Sequence, residues 1–400
     1  MMRKLINASV VALALGGLGV ATSVNAASAT EPIKVGMILV DSGPFASNYG
    51  LADAAKLSVS LLNADGGALG RKFELAVESN PGTPAGAIAA ATRAVQQDGA
   101  PFLMGMFFSS MSLALGPKLP GLNALAFDTT AASEDLTGKS CQANYFRVAV
   151  NDGMIVNAFK AYLKQNNLKS WDLIATDFAG GHDFAKKFTA MVEASGGSVG
   201  KTLFNPLGTS DFGSYISQLG SKPSQGLAVM VLGNDAVTFA KQQQQFGLFQ
   251  KYKTVISNSF TNDIVLDAQG EGVMNVVANV GYLNSLPGDK NAAFVKAFDA
   301  QYHAKPNFMQ ADLYVAFELL RDAINKAHST DVPAVRATLS GLHANTIYGD
   351  VEMRAADHQL VRQTLMAQVI KGADGKPALA IRATYPGAAI TPPPSPACKL

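Results

Sequence analysis

From residue 33 onward, short apolar runs alternate with longer stretches of helical periodicity, which restricts the chain to βα units laying parallel strands between helices. Residues 33–40 form a continuous apolar run, read as a buried strand. Leu51, Ala55, Val59 and Leu62 then recur at spacings of three and four before Gly66 and Gly67 stop the helix. Phe73, Leu75 and Val77 alternate as a strand, and Thr83 followed by Pro84 makes an N-cap and first-turn pair for a second helix. Strands at 101–106 and 124–127 complete one series. After a crossing segment at 145–152 the same rhythm returns: helix 155–165, strand 171–176, helix 183–194, strand 199–204, then strands 227–232 and 254–257. A helix carrying Gln242 to Gln245 separates the last two, and at helical pitch that run reads as a solvated face. Helices at 291–303, 310–328 and 332–342 follow, then a hairpin-like pair, 360–370 and 379–385, around turn residues 372–376.

The N-terminus carries an export address. Arg3 and Lys4 precede an uncharged apolar stretch over 8–21, shorter than the ~20 residues a spanning helix needs, and small residues follow; cleavage is expected after Ala26, with Ala27, Ser28 and Ala29 offering a second site three residues on. Loss of Arg3 and Lys4 leaves 30 basic against 30 acidic residues, a neutral balance that argues against a nucleic-acid footprint. The remaining 374 residues exceed what one hydrophobic core usually serves, so two domains are expected. Cys141 and Cys398, in a chain bound for an oxidising compartment, are expected to pair and to tie the Pro-rich tail back to the first domain.

Motifs for catalysis are missing from the sequence. No G-x-S-x-G elbow occurs, and the glycine frame is absent around Ser109 and Ser110. The tripeptides at 138–140 and 200–202 fail the phosphate-loop pattern because Ser133 and Ser195 stand where its first glycine belongs. The five His, at 182, 303, 328, 343 and 358, lack ligand spacing and read as surface polar residues, so neither a metal nor another cofactor is expected. An exported hydrolase would need a nucleophile such as Ser109 activated by a base, and no motif places a His for that role.

What remains is a group of polar and aromatic residues at the carboxyl ends of predicted strands, where open parallel sheets bind ligands. In the first domain these are the 42–49 loop with Tyr49, then Ser109 and Ser110, then Thr129 and Thr130; in the second, the 177–183 loop with Phe178, then Asn234 and Asp235, then Ser259 and Phe260. Hydroxyls and main-chain N–H groups at helix starts suit a carboxylate. Ser109 and Ser110 fit that role best.

At these residues the chain resembles the leucine/isoleucine/valine-binding family of periplasmic receptors, the type I Venus-flytrap proteins of ABC importers. The likeness runs from about residue 33 to 370. It is carried by Ser42-Gly43-Pro44-Phe45 with Tyr49-Gly50, Asn63-Ala64-Asp65-Gly66-Gly67, the strand end at 105–110, Leu136-Thr137-Gly138, Tyr145-Phe146-Arg147 and Thr209-Ser210-Asp211-Phe212. The resemblance implies an α/β fold of two lobes joined by three crossover strands, placed near 147–151, 280–283 and 348–351. Residues 27–147 and 284–347 would form the first lobe, 151–280 and 352–385 the second, and 386–400 a tail. It further implies a periplasmic monomer that closes on a small carboxylate and delivers it to an inner-membrane permease; a ligand sensor of the same fold is the alternative. In such receptors the first lobe holds the carboxylate through the Ser loop and the following Thr loop, and Tyr49 matches an aromatic of the cleft. The chain departs from amino-acid binders where they place an acid for the ammonium group, since Ser259 and Phe260 stand there. Asp235 could supply that charge from a neighbouring loop; otherwise an acid without an amine is favoured, and Tyr49, Phe178 and Phe260 would stack on it.

Overall fold

The computed structural model describes residues 31–41 and 50–400. The expected leader, its cleavage site and Tyr49 with the rest of its loop lie outside them.

The first sheet contains β1 (Ile33–Val40), β2 (Phe73–Asn80), β3 (Phe102–Met104), β4 (Leu125–Asp128) and β5 (Tyr145–Arg147), in the order β2-β1-β3-β4-β5 with every pair parallel. Between these strands run α1 (Leu51–Ala64), α2 (Pro84–Gln96), α3 (Ser109–Leu115) and α4 (Leu119–Leu122). The Thr83 hydroxyl accepts the Gly86 N–H at 3.1 Å with Pro84 in the first turn of α2, an N-cap of the kind worth about 1 kcal/mol. Gly67, at φ 69°, ends α1 where a Cβ would lie 1.9 Å from the Arg71 carbonyl oxygen, so only glycine closes this turn.

The second series opens with α5 (Asp152–Asn166), β6 (Ser170–Thr176), α6 (Ala179–Ala194), β7 (Ser198–Asn205), α7 (Gly213–Gly220), β8 (Gly226–Met230), α8 (Gly233–Gln245), β9 (Thr254–Asn258), α9 (Leu266–Gln269) and β10 (Val277–Val280). Helices α10 (Asp289–Tyr302), α11 (Phe308–Ala327) and α12 (Val332–Leu339) follow and pack into the core that β1, β3, β4 and α1 build. Next come β11 (His343–Thr346), β12 (Gly349–Met353), β13 (Leu360–Val361), the hairpin β14 (Thr364–Lys371) and β15 (Pro377–Tyr385), and α13 (Gly387–Ile390). The second sheet runs β15-β14-β10-β9-β8-β6-β7, parallel from β10 to β7 with an antiparallel edge, and β11, β12 and β13 form a small third sheet. Strands β3 and β8 are buried along their whole length, as parallel strands covered by helices on both faces must be.

Three features differ from the sequence reading. The chain enters the second sheet between Val361 and Thr364 and not near 348–351, because β12 turns back on β11 and keeps Tyr348, Val351 and Met353 in the first core. The glutamines of α8 are not all solvated: Gln243 is buried and donates to the Gly272 carbonyl, and the Gln242 side chain accepts the Phe212 N–H at 2.7 Å. His358 is not a surface residue either. It is buried, stacked on Phe146 with centroids 4.1 Å apart, and burial pulls its pKa down to about 4.

One buried side chain gathers all three connections between the sheets. Arg362 donates from Nε to the Val148 carbonyl at 3.1 Å on the first connection and from Nη1 to the Gly281 carbonyl at 3.0 Å on the second, while itself lying on the third. Its Nη2 meets both Asp312 carboxylate oxygens at 2.8 and 3.0 Å, and its guanidinium lies 4.3 Å from the Tyr348 ring centre. The tail also spans the two units. The Asn157 amide of α5 holds the Ile390 carbonyl at 2.8 Å, Arg354 holds that of Pro392 at 2.8 Å, and a disulfide joins Cys398 to Cys141, with Cα atoms 5.5 Å apart.

Candidate ligand-binding site

In the first lobe, β3 and β4 deliver two hydroxyl-bearing loops to the same sheet edge. Thr130 donates from Oγ1 to the carbonyls of Met106 at 2.6 Å and Phe107 at 3.0 Å, and the Ser133 N–H reaches Ser109 Oγ at 3.3 Å, so the loops are cross-linked. Beneath them Asp128 is fully buried at the end of β4. One carboxylate oxygen accepts the N–H groups of Thr130 at 3.1 Å and Ala131 at 2.9 Å; the other accepts the hydroxyls of Ser112 and Tyr145. Burial raises its pKa, and those four donors oppose the rise.

This arrangement divides the sequence candidates by role. The Thr130 hydroxyl is consumed within the loop and is a strut. Thr129 is its opposite: the residue is buried and its Oγ1 has no hydrogen-bond partner. Ser109 stands half-buried and Ser110 exposed at the start of α3, and Ser109 accepts from Ser133, which leaves its own O–H to donate. Ser109 and Ser110 thus present hydroxyls on this edge, with the unpartnered Oγ1 of the buried Thr129 in the neighbouring loop.

In the second lobe, β6, β8 and β9 end on the corresponding edge. Phe178 caps α6, and Gly180 and Gly181 leave room for its ring, since a Cβ on Gly180 would lie 2.6 Å from it. Beside it Asp177 pairs with His182 at 2.8 Å, and the His182 ring lies tilted against Phe204 with centroids 4.1 Å apart. Asn234 is exposed in the first turn of α8. One Asp235 carboxylate oxygen accepts the N–H groups of Gly208 at 2.9 Å and Thr209 at 3.3 Å and the Asn205 amide at 3.4 Å, pinning the loop after β7. Ser259 is exposed, with φ 61°, a left-handed conformation rare for serine. Phe260 corrects the sequence reading, for it is fully buried among Phe239 and Phe249, 5.8 and 6.0 Å away, and belongs to the second-lobe core.

Two contacts join the lobes that the sequence did not signal. Lys187 of α6 binds Glu134 of the first lobe at 2.9 Å and its own-lobe Asp183 at 2.7 Å, with Asp152 at 3.9 Å. Burial works against the lysine charge, yet the Asp183 and Glu134 carboxylates hold its pKa above the usual value, while burial lifts Asp152 to about 7. Asp263, in the loop after β9, lies beside the main-chain N–H of Phe308 at the start of α11, which opposes the rise that burial gives its pKa, to about 7. The Lys187–Glu134 and Asp263–Phe308 contacts join residues 53 and 45 positions apart, a separation no local pattern reports. Among the described residues no group of three metal-ligating side chains occurs. A cavity of about 660 Å³ opens at the opposite, amino end of β9 and β10 beside Tyr252, Thr254 and Asn275, and touches none of the candidate residues.

Two α/β lobes on three connections, each with polar loops at the carboxyl edge of its parallel sheet, have the architecture of a hinged receptor for a small solute. The chain belongs to the periplasmic binding protein family, whose model matches residues 32–376. It is 24% identical over 374 residues to the Leu/Ile/Val-binding protein homolog 4 of Brucella abortus, spanning 87% of this chain and 86% of that one. Among solved structures it is similar to an ABC transporter substrate-binding protein from Sphaerobacter thermophilus, with a TM-score of 0.81 at 22% identity, covering 89% of this chain and 98% of that one. A solute-binding protein of an ABC transporter from Rhodopseudomonas palustris BisB5, in complex with 3,4-dihydroxy benzoic acid, superposes with a TM-score of 0.80 at 21% identity over 89% of this chain and 98% of its own.

Proposed function

We infer that this chain is the periplasmic solute-binding component of an ABC importer, exported with cleavage after Ala26, which closes as a monomer on a small carboxylic acid and hands it to an inner-membrane permease. The observation that carries this reading is the set of hydroxyls on the first lobe, Ser109, Ser110 and above all the buried, unpartnered Thr129, at the edge where the second lobe meets it. A buried hydroxyl without a partner costs about 1–3 kcal/mol, a cost that a bound acceptor recovers. The 3,4-dihydroxy benzoic acid held by the Rhodopseudomonas palustris protein supports an aromatic acid as the solute, and the Brucella relatives named for leucine, isoleucine and valine support an aliphatic one. Phe178, half-buried at the head of α6, is the aromatic available on the second lobe for either.

The reaction is binding without covalent chemistry. The solute lands on the first-lobe hydroxyls, the lobes close about the Arg362 hub, and contacts across the seam favour the closed state by their differential affinity for it. Capture at micromolar concentration needs about 8 kcal/mol, within reach of a small ligand enclosed on most of its surface. Thermal shift of the mature protein against amino acids, aliphatic acids and aromatic acids is expected to single out one class. The double variant Ser110→Ala/Thr129→Val should then weaken that ligand by about tenfold or more. A screen in which no carboxylate raises Tm, or a double variant with undiminished affinity, defeats the reading.

A further inference from the structure

We propose that the C-terminal tail, residues 391–398, is a disulfide-anchored strap that limits how far the two lobes part and thereby raises the affinity for solute. The inference rests on the hinged binding reading above and adds the element that restrains the hinge.

One end of the strap is fastened to the second lobe. Ile390 is buried in the core that Met154, Phe159 and Phe184 build, and the Asn157 amide of α5 donates to its carbonyl at 2.8 Å. Just before it, α13 lies on the hub itself, since a Cβ on Gly387 would come within 2.6 Å of the Arg362 main-chain nitrogen. The other end belongs to the first lobe. Cys398 is bonded to Cys141, in the loop between β4 and β5. Arg354, paired through two nitrogens with Asp357 at 2.8 and 2.6 Å, donates to the Pro392 carbonyl at 2.8 Å, and it directly follows Met353 of the first-lobe core.

Length and stiffness make this crossing a restraint. Seven residues, 391–397, separate Ile390 from Cys398, and four of them are proline. Proline-rich segments are semi-rigid and extended, so the strap reaches no further than about 25–29 Å. Part of that reach is stored in a turn that the Cys398 N–H closes on the Ser395 carbonyl at 3.0 Å, which permits some opening before the strap is taut. Cys141 stands ahead of the amino end of β5, whereas Arg362 holds Val148 beyond its carboxyl end. Rotation of the lobes about the hub therefore changes the separation of the strap's two anchors.

The strap also meets an ion pair that crosses the seam. Gly153, in the first turn of α5, is enclosed by Glu134 and Pro392: a Cβ there would overlap the Glu134 carboxylate and come within 2.5 Å of Pro392 Cγ. Glu134 in turn binds Lys187 at 2.9 Å. Parting of the lobes on this side breaks that pair and tightens the strap together. Apparent affinity falls in proportion to the closure-competent fraction, so a strap that removes wide-open states tightens binding without touching the solute.

The test uses the oxidised mature protein and two variants. Cys398→Ser releases the strap; insertion of six Gly/Ser residues between Pro393 and Pro394 keeps the disulfide and lengthens the strap, and it carries the test if the serine variant folds poorly. Nitroxide labels on p-acetylphenylalanine at the exposed Ala85, after β2, and Leu207, after β7, report the lobe separation by double electron–electron resonance. Both variants are expected to broaden the solute-free distance distribution toward longer values. Calorimetry with 3,4-dihydroxybenzoate and with leucine should show whichever solute binds weakened by about threefold or more. A folded variant that keeps the wild-type distances, or the wild-type affinity, overturns the proposal. If neither solute binds wild type, the binding reading fails for these two acids, and the distances, which need no solute, still decide the strap.

Discussion

Replacing Arg362 by methionine removes a side chain that touches all three connections, and the structure lets the cost be worked out. The guanidinium is buried and donates to Val148, Gly281 and both oxygens of Asp312. Even with that partner, burial pushes Asp312 up to about 6. Without it the carboxyl keeps only the Tyr348 hydroxyl and takes up a proton near neutrality. Breaking one side of a buried ion pair costs about 3–5 kcal/mol, whereas replacing both sides by apolar groups is close to neutral. Arg362→Met should therefore lower unfolding free energy by about 3–5 kcal/mol, and Arg362→Met/Asp312→Leu by less than the single variant despite its second lesion. Urea unfolding at pH 7, followed by circular dichroism and by fluorescence of the chain's one tryptophan, Trp171, measures both. A single variant within about 1 kcal/mol of wild type, or a double variant showing the sum of two separate losses, would refute the reasoning.

Two further perturbations address the tail and the buried histidine. Cys398→Ser opens a loop of 257 residues and should cost about 2–5 kcal/mol in the same urea assay, with no loss expected if the tail contributes nothing to the fold. For His358 the folded pKa is depressed, to about 4 from 6.5, so its contribution is present above pH 6.5 and disappears as pH falls towards 4. Asp152, Asp263 and Glu318, each raised to about 7 by burial, act with the opposite sign, binding protons more readily in the folded state. The difference between wild type and His358→Phe isolates the histidine: it should change by at most about 3 kcal/mol between pH 7 and 4, and parallel stability curves would exclude the effect.

Local pattern was sufficient for the repeated βα rhythm, the Thr83 cap on α2, the turn at Gly67 and the placing of Ser109 and Ser110 at a helix start. These follow from periodicity and from short-range backbone chemistry, both written within a few residues. Which hydroxyl is free was not legible: Thr129 and Thr130 are chemically alike and adjacent, yet one is unpartnered and the other bonds back to Met106. Phe260 looked like a cleft aromatic because it follows a strand end, but the left-handed Ser259 before it comes with a ring buried in the core.

Taken alone, the sequence determined the class of fold and the two-lobe scale, because hydrophobic period and strand polarity are local properties. Tertiary structure decided everything that depends on residues distant in the chain: the return through Val361 to Thr364, the Arg362 hub, the use of Asp235 as a loop pin, and the burial of the Asp263 Oδ2 atom without a partner. The physical reason is that an oxygen's partners, and hence its charge and its availability to a solute, are set by what folding brings within about 3 Å, a distance that carries no record in residue order.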